Sequence, residues 1–212
     1  MDRPLRLGTR GSPLALAQAQ LVASALRMAH GWDEEAIEIV PITTTGDRVQ
    51  DRALAEVGGK ALWTKELDRC LVDGRTDMSV HSMKDVETIR PDELVVAAML
   101  PRADARDRLI GAESLAALPK DAKVGTSSPR RAAQVKARRP DLETVVLRGN
   151  VQTRLAKVER GEVDATLLAA AGLDRLGLGN VGSPADELLP AASQGAVGVE
   201  TLKSNGEVRA LL

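Results

Sequence analysis

The chain has 212 residues, of which 43% are hydrophobic, and a formal net charge of −1. This length allows one large domain or two of about 100 residues, and the near balance of charge excludes the global basic field of a nucleic-acid-binding protein. Phe and Tyr are absent and only Trp32 and Trp63 supply aromatic surface, which argues against base-stacking platforms as well.

The sequence favours a reducing, aqueous compartment. Cys70 is the only cysteine, so an internal disulfide framework is excluded. The N-terminus lacks the apolar core of a signal peptide, and no apolar run approaches the ~20 residues that span a bilayer. We therefore expect a soluble, cytoplasmic protein that binds neither membranes nor nucleic acid.

The first predicted elements are a strand, a turn and a helix. Leu5–Thr9 has the pattern of a strand, and Ser12 followed by Pro13 is typical of a helix N-terminus. The helical spacing of apolar residues continues to about Met28. A helix N-terminus that follows a strand can bind an anion, with Arg10 at its mouth. The alternative, a surface turn capped by Arg10, fits these residues equally well.

The next segment carries only weak functional signals. Ala36–Ile42 alternates as a second strand, and Gly58-Gly59-Lys60 follows after a polar loop. A double glycine before a lysine hints at phosphate or carboxylate binding, but its spacing is not that of a P-loop, so a mobile surface loop is the default. Ala61–Leu71 is predicted to be an amphipathic helix that includes Trp63, with Cys70 as a small filler.

The most chemically capable stretch follows the predicted strand Thr76–Val80. Asp85 is the candidate proton carrier, Lys84 a candidate charge partner, and His81 and Ser82 are hydrogen-bonding groups. Open α/β sheets gather ligands beyond the carboxyl ends of their strands, which favours a site here. The alternative is a solvated turn without function, because most loops carry no site.

A lobe boundary is predicted near residue 100. Leu94–Leu100 is a continuous apolar run that predicts a buried, parallel-type strand, and Pro101 ends it. Between Arg102 and Arg160 there are ten Arg and four Lys against four Asp and three Glu, an excess of seven positive charges. This segment should favour anions.

The second lobe repeatedly places arginines after predicted strands. Three hydroxyl residues precede Pro129 at a predicted helix N-terminus, followed by two arginines, which is the strongest anion-binding signal in the chain. Asn150 is predicted to cap the next helix. Planar guanidinium groups suit bidentate recognition of carboxylates. The residues of this set are Thr126, Ser127, Ser128, Arg130, Arg131, Arg148, Arg154 and Arg175.

The last apolar segment, Ala192–Glu200, is predicted to cross back to the first lobe as a strand. Two crossings, near residues 100 and 195, would form a hinge. The predicted domains are therefore residues 1–99 with 196–212, and residues 100–195.

Six motifs in order along nearly the whole chain identify a family. They resemble those of hydroxymethylbilane synthase, also called porphobilinogen deaminase. The motifs are Arg10-Gly11-Ser12-Pro13-Leu14-Ala15, Gly58-Gly59-Lys60, Val80-His81-Ser82-Met83-Lys84-Asp85, Gly125-Thr126-Ser127-Ser128 with Arg130-Arg131, Leu147-Arg148-Gly149-Asn150 with Arg154, and Gln194-Gly195-Ala196-Val197-Gly198.

This resemblance implies an enzyme of tetrapyrrole biosynthesis, a transferase that joins four porphobilinogens head to tail, releases ammonia at each step and frees hydroxymethylbilane. It also implies an α/β fold of two lobes like those of type II periplasmic binding proteins, joined by two hinge crossings, with the active cleft between them. The alternative is a non-catalytic two-lobe module that binds anions or oligopyrroles.

The resemblance also assigns site residues. Asp85 matches the catalytic aspartate, and no metal is implied. The residues expected to hold carboxylates are Arg10, Ser12, Lys84, Thr126, Ser127, Ser128, Arg130, Arg131, Arg148, Arg154 and Arg175. Lys60 and Trp63 match a mobile cleft loop. We place Gln18, His81, Ser82, Asn150 and Gln194 in the same cleft.

Family members carry a dipyrromethane cofactor, attached through a thioether to a cysteine of a third, C-terminal domain. Cys70 matches no cofactor motif, and the resemblance ends with the second crossing. We therefore expect the third domain and its attachment cysteine to be absent and the activity to be impaired. The expected partners are porphobilinogen and oligopyrrole intermediates, and the expected state is a monomer that can associate through the edge left by that domain.

Overall fold

The computed structural model describes residues 3–44 and 63–212 of the chain. Contacts divide these residues into two compact units. The first unit contains residues 3–44, 63–102 and Ala196–Leu212, and the second contains Ala103–Gly195.

Strands and helices alternate along most of the described chain. In chain order they are β1 Leu5–Arg10, α1 Pro13–His30, β2 Ile37–Ile42, α2 Lys65–Val72, β3 Met78–Ser82, β4 Leu94–Met99, β5 Asp107–Ile110, β6 Lys123–Gly125, α3 Pro129–Arg138, β7 Glu143–Val145, α4 Val151–Glu159, β8 Ala165–Ala169, α5 Ala170–Arg175, β9 Ser183–Pro184, β10 Val197–Leu202 and α6 Gly206–Leu211.

The first unit is built on a five-stranded sheet in the order β2-β1-β3-β10-β4. β2, β1 and β3 run parallel, and β10 is antiparallel to both of its neighbours. Leu7 of β1 and Val22 of α1 lie in the same buried core. Because β1 and β3 are parallel, their C-terminal ends lie at the same edge of the sheet. The polar residues of the motifs that contain Arg10 and Asp85 lie at this edge.

The first helix begins at Pro13 as the sequence predicts and runs to His30, two residues beyond the predicted end near Met28, with local reasons at each end. The Ser12 side chain accepts a hydrogen bond from the backbone N–H of Ala15, and Pro13 occupies the first turn. Gly31 ends the helix in the left-handed region, with φ 66°, and its N–H bonds to the Arg27 carbonyl. This capping fixes the direction in which α1 leaves the end of β1.

The prediction of a buried, parallel strand at Leu94–Leu100 is wrong. β4 is an edge strand, antiparallel to β10, and only Leu94 at its start is buried. Met99 at its end is 64% exposed. An apolar run made largely of Val and Ala fits an edge strand as well as a central one, because small side chains leave little apolar surface exposed to solvent.

The second unit has its own five-stranded sheet, in the order β7-β6-β8-β5-β9. β7, β6 and β8 are parallel, and β5 is antiparallel to β8 and β9. Its core is aliphatic and includes Leu109, Val124 and Leu167. The sequence analysis did not predict β5, whose first two residues, Asp107 and Arg108, are charged.

Within the described part of the chain, no helix is long and apolar enough to cross a membrane. The same residues contain no group of three or more His, Cys, Asp or Glu side chains that could hold a metal ion.

Candidate active site

A pocket in the first unit brings together six of the residues singled out from the sequence. They are Arg10, Gln18, Trp63, His81, Ser82 and Asp85. Apolar side chains, including Leu67 and Val86, complete the lining. The strand that was predicted at Thr76–Val80 lies two residues later, at Met78–Ser82. His81 and Ser82 therefore belong to β3 itself.

Asp85 is the last residue of a short 3-10 turn, Met83–Asp85, that directly follows β3. The backbone N–H of Met83 donates to the Ala196 carbonyl at 3.1 Å, and that of Val86 donates to the Met83 carbonyl at 3.2 Å. The first bond ties the start of the turn to the residue before β10, and the second closes the turn itself. The Asp85 side chain is partly buried and lines the pocket.

Gln18 and Ser82 join the first helix to the end of β3. The Gln18 amide nitrogen lies 2.9 Å from the Ser82 hydroxyl, which in turn lies 3.2 Å from the Gln18 amide oxygen. Gln18 is only 3% exposed. A buried amide needs such partners, so this pair fixes one wall of the pocket.

The pocket lining also includes an arginine that is stacked on an aromatic ring. The guanidinium carbon of Arg10 lies 3.8 Å from the ring centroid of Trp63, which is within the range of a cation–π contact. Ser12, next in the motif, caps α1. The stacking holds the positive charge of Arg10 at the pocket.

A buried charge network lies beside the pocket. Nε2 of His81 is 3.1 Å from Oε2 of Glu200, and Arg90 donates to both oxygens of Glu200 at 2.8 Å. Arg90 also bonds to Asp68 at 2.5 Å. Burial raises the pKa of Glu200, but the hydrogen bonds and charges of His81 and Arg90 outweigh it and lower the pKa to about 2. Glu200 was missed by the sequence analysis, although an acid in an otherwise apolar strand was a usable signal.

In the second unit, the three hydroxyl residues hold the backbone of the loop before α3. Ser128 caps the helix by accepting from the N–H of Arg131, and Thr126 accepts from the N–H of Ser128 at 3.1 Å. The Ser127 hydroxyl donates to the Leu147 carbonyl at 2.5 Å. These bonds fix where the first turn of α3, with its two arginines, begins.

Both of those arginines bond to one buried carboxylate. Arg131 donates to Oδ1 and Oδ2 of Asp107 at 2.6 and 3.1 Å, and Arg130 donates to Oδ2 at 2.8 Å. Gln194 donates to Oδ1 at 2.7 Å. Burial raises the pKa of Asp107, but these donors, led by Arg131, lower it to about 2. Asp107 is therefore ionised at neutral pH, and it is a second residue that the sequence analysis missed.

Two further arginines approach this pair from the loop after β7 and from α4. Nε of Arg154 donates to the Gly149 carbonyl at 3.0 Å. Burial lowers the pKa of Arg154 to about 10, and the nearby positive charges of Arg131 and Arg148 add to the effect. We call Arg130, Arg131, Arg148 and Arg154 the arginine cluster. A bound anion would relieve its repulsion.

The backbone around Arg148 depends on a glycine. Gly149 has φ 111°, and a Cβ atom there would lie 2.8 Å from Cβ of Thr153. Asn150 caps α4 by accepting from the N–H of Thr153 at 2.9 Å. The side chain of Asn150 thus has a structural partner next to the arginines.

Comparison with known proteins identifies the family. A family model described as "Porphobilinogen deaminase, dipyromethane cofactor binding domain" matches residues 5–210. The porphobilinogen deaminase of Sphingopyxis alaskensis is 61% identical over all of this chain, which covers 69% of that protein. The chain belongs to the porphobilinogen deaminase family. A second member, from Paracoccus denitrificans, is 51% identical over the whole chain and is likewise covered to 69%.

Solved structures of low sequence identity share the fold of this porphobilinogen deaminase family member. A periplasmic substrate-binding protein of an ABC transporter from Coxiella burnetii aligns with a TM-score of 0.56 at 15% identity, covering 98% of this chain and 89% of that one. A substrate-binding domain described for an amino acid ABC transporter of Streptococcus pneumoniae gives 0.60 at 12% identity, covering 99% and 90%. The predicted two-lobe α/β fold is confirmed.

The structure places the remaining residues that the resemblance assigns to porphobilinogen deaminases as follows. Arg175, at the end of α5, donates to the Gly195 carbonyl at 2.7 Å, and burial lowers its pKa. Lys84 lies half-buried between Met83 and Asp85. Lys60 falls outside the described residues. Cys70 is buried in α2, where burial raises the pKa of its thiol, as expected for a packing role.

Proposed function

We propose that the chain performs the reaction of its family, the stepwise condensation of four porphobilinogens to hydroxymethylbilane with release of ammonia. The observation that carries this proposal is the arginine cluster, in which burial and like charges lower the pKa of Arg154 to about 10. A porphobilinogen bears an acetate and a propionate, so a growing oligopyrrole is a polyanion. Such a ligand supplies the negative charge that these guanidinium groups need.

The same residues fit the dipyrromethane of the family. The four arginines of the cluster carry more positive charge than Asp107 neutralises, and several carboxylates can balance this excess. When bound, this group serves as the primer to which substrate is added. Arg130, Arg131, Arg148 and Arg154 would hold its carboxylates, and Thr126, Ser127 and Ser128 shape the loop that presents Arg130 and Arg131.

In the first unit we assign the proton chemistry to Asp85. Loss of ammonia breaks the C–N bond of the aminomethyl group and leaves an electron-poor azafulvene. The free α-carbon of a second pyrrole adds to the azafulvene, and after the new C–C bond has formed this α-carbon must lose its proton to restore the aromatic ring. A carboxylate held on the short turn after β3 can stabilise the positive charge on pyrrole nitrogen and accept this proton. Arg10, Ser12 and Lys84 would bind substrate carboxylates beside it, with Gln18 and Ser82 shaping the wall.

One experiment tests both assignments. The 212-residue protein is incubated with porphobilinogen while ammonia release, protein mass and calorimetric binding are followed. Asp85→Asn should abolish ammonia release and spare binding. Arg154→Gln should weaken binding by at least about tenfold. Equal loss of binding in both variants would overturn the role of Asp85, and unchanged binding in Arg154→Gln would overturn the role of the cluster.

A second candidate function is a binding module without turnover. It is favoured by the fold shared with substrate-binding proteins. Binding of porphobilinogen with no ammonia release from the unmodified protein would support it. The predicted monomer is tested in the same preparation by light scattering, where a dimer would contradict it.

A further inference from the structure

Asp107 has no part in the reaction proposed above, yet it is the most heavily hydrogen-bonded carboxylate near the arginine cluster. It is fully buried at the start of β5 and accepts from Arg130, Arg131 and Gln194. A buried carboxylate is costly unless donors satisfy it, so an acid in this position requires an explanation.

The geometry of α3 supplies one. Successive residues of a helix point about 100° apart, so two adjacent arginines normally diverge. Here Nη2 of Arg130 and Nε of Arg131 meet at the same oxygen, Oδ2 of Asp107, at 2.8 and 3.1 Å. The shared carboxylate therefore draws the two guanidinium groups together at the helix N-terminus.

Each guanidinium is also fixed from a second direction. Arg131 donates through Nη1 to the Leu167 carbonyl at 2.9 Å, so its plane is held by β5 and β8 together. Arg130 donates through Nη1 to the Leu189 carbonyl. With Asp107 between them, the pair keeps one net positive charge in place of two, which lowers the repulsion within the arginine cluster.

Gln194 holds the carboxylate itself. Its amide nitrogen donates to Oδ1 of Asp107 and to the Ala105 carbonyl, both at 2.7 Å. Gln194 is 1% exposed. The sequence analysis placed this residue in the cleft. In the structure its amide bonds to Oδ1 of Asp107, while the two arginines meet at Oδ2, so Gln194 fixes the orientation of the carboxylate.

We infer that Asp107, oriented by Gln194, is a positioning residue that holds Arg130 and Arg131 in the converged arrangement that recognises carboxylates. The inference rests on the proposed function of the cluster as the binding site for porphobilinogen carboxylates. A positioning role and a purely electrostatic role predict opposite effects of Asp107 on anion binding. The negative charge of Asp107 opposes the binding of an anion, whereas the convergence of Arg130 and Arg131 that it causes favours binding.

That opposition gives a decisive test with Asp107→Asn. The substitution keeps the size of the side chain and makes the site more positive by one charge. If charge alone mattered, binding of porphobilinogen would tighten. If Asp107 positions the arginines, binding weakens by at least about tenfold, because an amide cannot accept from three donors and misplaced groups lose most of their effect.

The measurement is calorimetric titration of porphobilinogen into the folded 212-residue protein, with folding checked by circular dichroism. In turnover the loss should appear in KM, with kcat changed less than twofold. Asp104→Asn is the matched control, since Asp104 is a partly exposed carboxylate that pairs with Arg106 outside the cluster. It should leave the affinity within about twofold.

The outcomes separate this inference from the proposed function. Unchanged or tighter binding in Asp107→Asn, with Arg154→Gln weakened, overturns the positioning role and leaves the site intact. Unchanged binding in both variants overturns the site itself. Should Asp107→Asn fail to fold, Gln194→Met removes the amide without altering any charge. It should weaken binding about three- to tenfold, and unchanged affinity would overturn the inference.

Discussion

Glu200 and His81 form a buried carboxylate–imidazole pair, with Oε2 and Nε2 3.1 Å apart, and the imidazole lines the pocket that contains Asp85. Their strands are adjacent and antiparallel, with Gly198 opposite His81. The pair therefore connects the pocket wall to Arg90, which binds Glu200 from the other side.

Glu200→Gln should destabilise the protein by about 3 kcal/mol, because it leaves Arg90 without its bidentate partner in a buried site. Urea unfolding at pH 7 measures the change. Glu38→Gln, an exposed position on β2, is the control and should stay within about 0.5 kcal/mol of wild type. An effect of Glu200→Gln no larger than that of Glu38→Gln would show that the network adds nothing to stability.

The same pair predicts a specific loss of stability in acid. The pKa of Glu200 falls from its ordinary value of 4.5 to about 2 on folding. Its contribution is therefore present above about pH 4.5 and is lost as the pH falls from there toward 2. The difference in unfolding free energy between wild type and Glu200→Gln should shrink from about 3 kcal/mol at pH 7 to near zero at about pH 2. A difference that stays constant over this window would contradict the lowered pKa.

Gly149→Ala should lower the free energy of unfolding for two reasons, the positive φ of Gly149 and the collision of the added Cβ with Thr153. Gly161 serves as the comparison. Gly149 has φ 111° and its added Cβ would collide with Thr153, whereas Gly161 has φ 69° and open space around it. We expect a loss of about 3 kcal/mol for Gly149→Ala and about 1 kcal/mol for Gly161→Ala in thermal or urea unfolding. Equal losses would show that Thr153 moves aside freely.

Arg154→Met should separate binding from folding. Because burial and two neighbouring arginines disfavour the charge of Arg154, its removal should leave the unfolding free energy equal to wild type or up to about 1 kcal/mol higher. The rise in Tm that porphobilinogen produces in wild type should largely disappear. Arg160→Met, at an exposed pair with Glu162, is the control and should keep that rise. A strongly destabilised Arg154→Met would contradict the repulsion within the cluster.

Local chemistry explains what the sequence predicted well. Ser12, Ser128 and Asn150 cap α1, α3 and α4 as expected, because each cap depends on residues within three positions of it. The grouping of Arg10 and Asp85 at one pocket also follows from short motifs, since Arg10 ends β1 and Asp85 follows β3, which are parallel strands of the same sheet.

The two carboxylates missed at the candidate site have partners that are distant in sequence. Asp107 meets Arg131 and Gln194 across 24 and 87 positions, and Glu200 meets Arg90 across 110. No local pattern marks Asp107 as a buried anchor, whereas Glu200 at least stands out as an acid in an otherwise apolar strand. β5 was missed for the same reason, because its charged first residues resemble a linker until Arg131 and Gln194 bury Asp107.

Within residues 63–212 the chain passes between the units twice, and these two connections run side by side. Leu100 donates to the Val197 carbonyl at 3.0 Å within the first unit, and Ala103 donates to the Gly195 carbonyl at 3.2 Å within the second. The second unit thus starts and finishes at neighbouring points, as an insertion does. A variant that lacks residues 103–195 would need only a short turn to connect residue 102 to residue 196. In the separated second unit, a short linker could likewise connect residue 195 to residue 103.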